Sequence, residues 1–570
     1  MPDVLIEPTS SPRPEVNLAP AVASNKAMHP AVLSVLSAVA LWFAFPPAEW
    51  GWLAWVALVP LFGLVTGNQP KGKLYLGSWL GGFVFWMLSL QWVSAIDPSA
   101  WAGWLAMAFV LSLGWPLFLW CARRGVSLGV SPMIATPVAW VGLESLRTHI
   151  LSGFPWYFLA HSQYKVGPLI QISDFAGSLG LSFLIALVNA LICDLSSRET
   201  VRDRAVYFRT GIVGLAVVAT LVYGAVRIST ANFKPGPRIA LLQSNLLQRM
   251  KSGNTPDEIL GIFRGLIDQA MKGDDRPDLI IWPETAYPYS FVDIDPQFTV
   301  EQVAQAFATT TKHSPAEWTL FRRIVDDDLR AISAYYKVPM LIGISADRFD
   351  HRGASRANAV VMVDPDPKVP LRSYQKIQLV PFGEYIPMIN TFPFLTALVP
   401  YPAGGIPNLA PGQAPAWFDV GPYRYAPLIC FEDTIPHLAR RFFSNAPEGR
   451  HPDVLVNVTN DGWFRNTSEQ QIHLAVSVFR AVENRVPLAR AVNTGISAMI
   501  DGNGAIVASL AADKSAQLTV IAPLDDRTGL YSILGDWVGL SCLAACALVG
   551  PLSLVKLRQR PRQGRTSQIL

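Results

Sequence analysis

The sequence predicts a helical membrane bundle of eight spans, with an α/β domain inserted between the last two spans. Three observations indicate this architecture. Hydrophobic residues make up 51% of the 570 residues and charged residues only 15%, against about 25% charged in an ordinary soluble protein. Apolar stretches long enough to cross a hydrocarbon core of about 30 Å recur along the chain. One long interval between them is instead rich in charge, proline and turn residues.

The same composition excludes several classes of protein. Apolar content is too high for disorder over most of the length. A formal net charge of +4 gives no electrostatic footprint for a nucleic-acid partner. Five cysteines spread over the whole chain do not make a disulfide scaffold. The eight histidines form no pair at ligand spacing, so we expect no metal site, and nothing in the sequence indicates a cofactor.

The predicted elements follow in chain order. Residues 1–28 are polar and contain Pro and Ser, which is typical of a disordered tail. Residues 29–228 hold seven predicted spans, residues 531–555 hold the eighth, and residues 556–570 form a basic tail. The first seven spans lie near 30–47, 50–66, 74–95, 101–121, 130–147, 169–193 and 210–228.

Loop charges predict the orientation of these spans. Lys71 and Lys73 follow span two, and Arg123 and Arg124 follow span four. Basic residues also follow spans six and eight, whereas the loops after spans one and three contain no Lys or Arg. Positively charged loops stay on the cytoplasmic side of a membrane. We therefore expect both termini in the cytoplasm and the interval 235–525 on the periplasmic side.

The interval 235–525 is predicted to form a separate α/β domain. Continuous apolar strands alternate with helical patterns, which indicates a sheet covered on at least one face. At about 290 residues the domain can bury its own core. The predicted strands are 238–243, 278–282, 339–344, 359–363, 426–430 and 454–458, and the predicted helices are 256–272, 319–336 and 468–485.

Cys430 is the first residue in this domain that could carry chemistry. The other four cysteines lie in or beside predicted spans, where apolar packing explains them. Cys430 stands where the apolar run APLIC gives way to FEDTIP. A turn at a strand end exposes such a side chain and aims backbone N–H groups beside it. The pattern alone leaves two readings open, a nucleophile and a buried core thiol.

Three further ionisable residues occur in rigid, apolar contexts. Glu284 ends the apolar strand DLIIW in DLIIWPET, where it could serve as a general base or be a solvated carboxylate. Lys376 lies in YQKIQLVPFGEYIP, where it could stabilise an oxyanion or be a surface lysine. Glu384 in the same stretch and Glu432, two residues after Cys430, could each be an ion-pair partner.

Taken together, WPET, KIQLVPFGEYIP and CFED occur in the order Glu, Lys, Cys on one α/β domain. In this the sequence resembles the nitrilase (carbon–nitrogen hydrolase) superfamily. The fusion to eight spans, with FPPAEWGWLAWVALVPLF at 45–62 and GFPWYFLAHSQ at 153–163, narrows the resemblance to the apolipoprotein N-acyltransferase family of bacterial envelopes. The resemblance implies a four-layer αββα sandwich for the exterior domain.

The resemblance also implies roles for the candidate residues. Cys430 would be the nucleophile, Glu284 the proton acceptor, and Lys376 the group that stabilises the tetrahedral intermediate. Glu384 would position Lys376.

Two more residues, Phe431 and Glu432, would line the acyl site. The family often has Tyr after the nucleophile, so Phe431 lacks a hydroxyl group there. The family often has Lys-Trp in an early loop, whereas here Lys251 is followed by Ser252.

The family implies a two-step transfer in the bacterial inner membrane. An acyl chain from a phospholipid, commonly phosphatidylethanolamine, would pass to Cys430 as a thioester. The α-amine of an S-diacylglyceryl-cysteine at a lipoprotein N-terminus would then take it as an amide.

Two alternative functions are a membrane-tethered amidase that uses water and a transporter with an accessory domain. A mere tether needs only one span, and a transporter requires charged residues along a central pathway, for which candidates are few.

Overall fold

The computed structural model describes residues 28–96, 100–150, 152–196, 204–246, 255–273, 275–295, 297, 302, 314–350, 353–388, 391, 408–464 and 467–558. The predicted tail at residues 1–28, apart from Met28, lies outside these ranges, as do residues 559–570 of the predicted basic tail. Ser252 and most of the segment between residues 296 and 313 also lie outside them.

Helices make up the part of the chain before residue 230. They are α1 (Pro30–Phe43), α2 (Val59–Phe62), α3 (Lys71–Ser89), α4 (Trp101–Ser112), α5 (Gly114–Ser127), α6 (Pro132–His149), α7 (Gly167–Ile170), α8 (Ser173–Ser196) and α9 (Arg204–Ser229). Small residues bring two of them into backbone contact. A Cβ atom at Gly77 of α3 would lie 2.6 Å from the backbone nitrogen of Ala31 in α1. Such close approach is typical of helix pairs in membranes.

Three helical stretches among the described residues are long and apolar enough to cross a membrane: Trp101–Ser127, Ser173–Ser196 and Arg204–Ser229. Shorter apolar helices occupy Pro30–Phe43, Gly51–Phe62 and Trp537–Ser553. Helices therefore occur where the sequence predicts spans, but the count of eight spans remains a prediction.

The second part of the chain contains two β-sheets. The strands are β1 (Lys234–Gln243), β2 (Leu279–Ile281), β3 (Phe291–Ile294), β4 (Met340–Asp350), β5 (Gly353–Val363), β6 (Arg372–Gln375), β7 (Phe418–Val420), β8 (Tyr423–Ile429), β9 (Val454–Thr459), β10 (Leu488–Val492), β11 (Ala498–Ile500), β12 (Ile506–Ser509) and β13 (Ala516–Leu524). The first sheet has the strand order β13-β1-β2-β4-β5-β6, with β3 paired to β4. The second sheet has the order β12-β11-β10-β9-β8-β7.

The strands are apolar on both faces because both faces are covered. In β1, Ile239 and Leu241 pack into the cluster shared with the second sheet. Ala240 and Leu242 pack with the helices α10 (Pro256–Ala270) and α11 (Pro315–Tyr336) on the opposite face. The second sheet shares its cluster with α12 (Pro436–Ser444) and α13 (Glu469–Asn484). The α/β architecture predicted from the sequence is confirmed, with two sheets between two layers of helices.

Two further helices, α14 (Leu530–Leu534) and α15 (Trp537–Arg558), follow the α/β domain. A buried ion pair joins this domain to the helical bundle. The Arg485 guanidinium, just after α13, lies 2.6 Å from the Asp174 carboxylate of α8, and both side chains are buried. Arg485 also donates hydrogen bonds to Gln171 and to the carbonyl oxygen of Gly502. These contacts fix the α/β domain against α8.

A close backbone approach positions Glu284 after β2. The carbonyl oxygen of Gly343 in β4 accepts hydrogen bonds from the N–H groups of Ala286 and Tyr287. A Cβ atom at Gly343 would lie 2.1 Å from the carbonyl oxygen of Pro283 and 2.8 Å from the Cα atom of Glu284. Glycine is therefore required at residue 343, since any side chain would push the Glu284 turn away from the strand.

Gly343→Ala is predicted to lower the thermal unfolding midpoint, because the added methyl group overlaps backbone atoms that cannot move independently. Differential scanning fluorimetry of the purified protein measures the change. Gly265→Ala in α10 is the matched control, since a Cβ there meets no heavy atom of the described residues within 4 Å and alanine favours a helix over glycine by about 1 kcal/mol. An equal or higher midpoint in Gly343→Ala would contradict the proposed packing.

Candidate active site

Cys430 occupies a strained turn at the end of β8. It begins the 3₁₀ helix Cys430–Thr434 directly after Ile429, and its φ angle is +51°. Residues other than glycine rarely adopt this left-handed conformation, and it persists only where surrounding contacts enforce it. One such contact is the hydrogen bond from the Asn457 side-chain amide to the carbonyl oxygen of Cys430, at 3.1 Å. The Cys430 side chain is partly exposed.

Glu284 and Lys376 both lie at strand ends of the first sheet. Glu284 follows β2 and Lys376 follows β6, and both side chains are buried. The Lys376 Nζ atom lies 3.5 Å from Glu284 Oε1. The side-chain amide of Asn358 in β5 donates a hydrogen bond to Glu284. The backbone carbonyl oxygen of Asn358 accepts a hydrogen bond from the backbone N–H of Lys376. Asn358 therefore holds the two residues together.

Glu384 is the direct partner of Lys376. Its Oε1 atom lies 2.9 Å from Lys376 Nζ, and its Oε2 atom accepts a hydrogen bond from the backbone N–H of Val380 at 2.8 Å. Burial alone would lower the pKa of Lys376, but the charges of Glu384, Cys430 and Glu284 raise it above its ordinary range. Lys376 is therefore a buried ammonium group.

The surroundings of Cys430 raise the pKa of its thiol. Burial raises its pKa well above the ordinary value, and the nearby Glu284 carboxylate raises it further, while Lys376 acts in the opposite direction. A neutral thiol beside a carboxylate can react as a nucleophile if the carboxylate takes its proton during attack. The structure thus brings Glu284, Lys376 and Cys430 into one electrostatically coupled group.

Glu432 follows Cys430 by two residues, and the acyl-site role that the resemblance implies for it remains a prediction. Its side chain is fully buried. Its carboxylate accepts hydrogen bonds from the backbone N–H groups of Ile377, Gln378 and Ile429 and from the Tyr374 hydroxyl group. Burial raises the pKa of Glu432 and hydrogen-bond donors lower it; burial has the larger effect, and the resulting pKa is about 7. Glu432 therefore connects the backbone beside Lys376 to the backbone beside Cys430.

Phe431 is also buried, with 7% of its surface exposed. It belongs to the hydrophobic cluster between the sheets, so its role in an acyl site remains a prediction.

Three polar residues that contact the site lie outside the sequence motifs that identify the candidate catalytic residues. Asn358 and Asn457 lie inside apolar strands, and Tyr374 lies in the short strand β6. The one signal in the sequence is an asparagine within an otherwise apolar strand, in ANAVVMV and in VLVNVT. A buried amide needs hydrogen-bond partners, and here the partners are the catalytic candidates.

One cluster of possible metal ligands occurs among the described residues, formed by Asp461, Glu469 and His473. The ring nitrogens of His473 already contact two carboxylates, Asp461 at 3.2 Å and Asp433 at 2.9 Å. Arg490 lies 2.9 Å from Asp461. These contacts make the cluster part of a buried charge network.

Glu432→Gln is predicted to lower the free energy of unfolding by about 2 kcal/mol, because the amide nitrogen cannot accept hydrogen bonds and leaves buried donors unpaired. Chemical denaturation of the purified protein measures the change. Glu448→Gln, at an exposed position, is the matched control and should leave stability unchanged. Wild-type stability in Glu432→Gln would show that the carboxylate does not connect the two segments.

The comparisons with known proteins cover both parts of the chain. The model of the apolipoprotein N-acyltransferase N-terminal domain matches residues 37–191, and the carbon–nitrogen hydrolase model matches residues 238–532. An apolipoprotein N-acyltransferase from Geobacter metallireducens is 32% identical over 537 residues, which are 92% of this chain and 95% of the relative. One from Rhodopirellula baltica is 28% identical over 92% of this chain and 97% of the relative. With two domain matches in this order and similarity over nearly the full length, the chain belongs to the apolipoprotein N-acyltransferase family.

Proposed function

We propose that this membrane-bound enzyme carries out the N-acylation step of lipoprotein maturation, with Cys430 as the nucleophile, Glu284 as the proton acceptor and Lys376 as the stabiliser of the oxyanion. The observation that carries the proposal is the coupled group of these three side chains in a chain that matches the family over both of its domains. The substrates are a lipid acyl donor and a lipoprotein acceptor.

The first half-reaction forms a thioester. Glu284 takes the thiol proton of Cys430 as sulfur attacks the ester carbonyl carbon of the phospholipid. The Lys376 ammonium group stabilises the negative charge that develops on the carbonyl oxygen, a kind of contribution worth about 3 kcal/mol. The ester C–O bond then breaks, and the proton on Glu284 passes to the departing lysophospholipid hydroxyl group.

The second half-reaction forms an amide. The neutral α-amine of the diacylglyceryl-cysteine attacks the thioester carbonyl carbon, which amines do readily. Glu284 accepts a proton from the attacking nitrogen, the C–S bond breaks, and the proton returns to the Cys430 sulfur. Glu384 keeps Lys376 in place through both steps by its contact at 2.9 Å. The acyl donor that we propose is phosphatidylethanolamine, as the family resemblance implies.

We further propose that the chain crosses the inner membrane eight times, with both termini in the cytoplasm and the domain at 235–525 in the periplasm. Besides the loop charges, exposed tryptophans support this orientation. Trp50, Trp52 and Trp101 are 51%, 66% and 61% exposed, and all three lie at the predicted periplasmic ends of spans two and four. Tryptophan favours the headgroup level of a membrane, so these side chains would border the leaflet that holds both substrates.

Cys430→Ser is predicted to abolish acyl transfer to a synthetic diacylglyceryl lipopeptide, because a hydroxyl group is far less ionised than a thiol and Glu284 cannot compensate. Mass spectrometry of the lipopeptide after incubation with phosphatidylethanolamine vesicles measures the product. Cys542→Ser, in α15, should keep wild-type activity. Full transfer by Cys430→Ser would exclude the proposed mechanism, and release of free fatty acid by the wild-type protein in place of acylated lipopeptide would favour an amidase-like hydrolase.

Reporter fusions test the orientation separately. A reporter fused after Leu570 should be active only if it is a type that works in the cytoplasm, and one fused near Pro235 only if it works after export. The reverse pattern would place Cys430 in the cytoplasm, where mature lipoprotein termini do not occur, and would contradict the acyltransferase proposal.

A further inference from the structure

A network of buried charges lies directly behind the Cys430 turn, and the reaction described above gives it no role. It consists of Asp433, Asp461, Glu469, His473 and Arg490, each at most 2% exposed. These residues come from four different segments: the 3₁₀ helix Cys430–Thr434, the 3₁₀ helix Asp461–Phe464, α13 and β10. Buried charges are costly unless they are paired, so this arrangement calls for an explanation.

Arg490 is the centre of the network. Its Nη1 atom donates hydrogen bonds to Asp433 Oδ2 at 3.1 Å and to Asn457 Oδ1 at 3.0 Å, and its Nη2 atom donates to Asp461 Oδ2 at 2.9 Å. His473 bridges the same two aspartates from the other side. Burial and Arg490 lower the pKa of His473, but the two aspartates outweigh them and raise it well above its ordinary value.

Asn457 links this network to the nucleophile. Its side-chain oxygen accepts the hydrogen bond from Arg490, and its side-chain nitrogen donates to the carbonyl oxygen of Cys430 at 3.1 Å. The orientation of this amide is therefore fixed by Arg490, since an amide rotated by 180° would place NH₂ against the guanidinium group. The carbonyl group it holds belongs to the residue with the left-handed φ of +51°.

Two tryptophans from the first part of the chain pack over the network. The Trp156 ring lies 5.6 Å from the His473 ring, centroid to centroid, and Trp156 is only 4% exposed. Trp92 packs edge-on against Phe464, next to Asp461, at 4.8 Å. Excluding water strengthens the ion pairs beneath these rings. Contact with Trp156 and Trp92 therefore helps to shield the network from water.

We propose that Arg490 is a positioning residue for the acyl-transfer reaction, which holds the strained Cys430 turn in its reactive conformation through Asn457. Arg490 is itself held by Asp433, Asp461 and His473. A lysine cannot replace it, because a single ammonium group does not present the planar set of donors that reaches Asn457 and both aspartates. The inference rests on the proposed role of Cys430 as the nucleophile.

The test compares Arg490→Lys and Asn457→Ser with Arg485→Lys in the full-length protein. Arg485 is the matched control because it is an equally buried arginine, paired with Asp174 at 2.6 Å, in a different network. The rate of acyl-adduct formation on Cys430 is followed by intact-protein mass spectrometry after mixing with phosphatidylethanolamine, and is expressed per folded molecule. The pH profile of Cys430 alkylation by iodoacetamide is measured in parallel.

Arg490→Lys and Asn457→Ser should each slow adduct formation at least tenfold. Arg485→Lys should unfold at a lower temperature but react at the wild-type rate per folded molecule. The charged groups that influence the pKa of the Cys430 thiol come from both sheets. Glu284 and Lys376 follow strands of the first sheet, Asp461 follows β9 of the second sheet, and Arg490 lies in β10. Asn457→Ser changes none of them, so its alkylation profile should match that of the wild-type protein.

Several results would overturn the inference. If Asn457→Ser forms the adduct at the wild-type rate, the link from Arg490 to Cys430 has no function. If its slower rate is fully explained by a shifted alkylation profile, the network acts through thiol ionisation and not through position. Asn457→Ser keeps every charge of the network, so it decides the question if Arg490→Lys does not fold. Absence of any adduct in the wild-type protein would instead contradict the proposed function, and this inference with it.

Discussion

The contact of the buried Lys376 ammonium group with Glu384 and Glu284 is the interaction on which the rest of the site depends. The Nζ atom lies 2.9 Å from one carboxylate and 3.5 Å from the other. Removing either partner would leave a buried charge incompletely compensated, which typically costs 3–5 kcal/mol. Glu384 lies closer to the ammonium group than Glu284 does, and Glu284 is the carboxylate that we propose as the proton acceptor for Cys430.

The two sheets make this arrangement possible. Glu284 and Lys376 follow strands of the first sheet, and Cys430 follows a strand of the second, so the proposed catalytic residues come from the two sides of the interface between the sheets. Glu432 joins the two sides, since it accepts hydrogen bonds from the backbone after β6 and from the end of β8. The residue that the resemblance assigns to the acyl site thereby connects the two sheets. Its position explains why a carboxylate is tolerated in a fully buried site.

The sequence predicts Glu284 and Cys430 as candidates because each lies in a local motif at the end of an apolar strand, and Lys376 because it lies in the motif YQKIQLVPFGEYIP. All six strands predicted from continuous apolar runs occur in the structure, although β4 extends to Asp350. The sequence patterns do not predict β3, β6, β7 or β10–β13, most of which are short. Asn358, Asn457 and the charge network around Arg490 could not be predicted, since their significance depends on contacts between segments far apart in the chain. Arg490 and Asp433, for example, are separated by 57 residues.

The most direct test of the account is a pulse and chase of the Cys430 thioester. The purified protein is incubated with phosphatidylethanolamine alone, digested and analysed by mass spectrometry, and a second sample receives diacylglyceryl lipopeptide before digestion. If Cys430 is the nucleophile, the first sample will carry one acyl group on the peptide that contains Cys430, and in the second sample this group will have moved to the lipopeptide amine. An acyl group on another residue, or a Cys430 adduct that persists in the presence of the lipopeptide, would contradict the proposed transfer through Cys430.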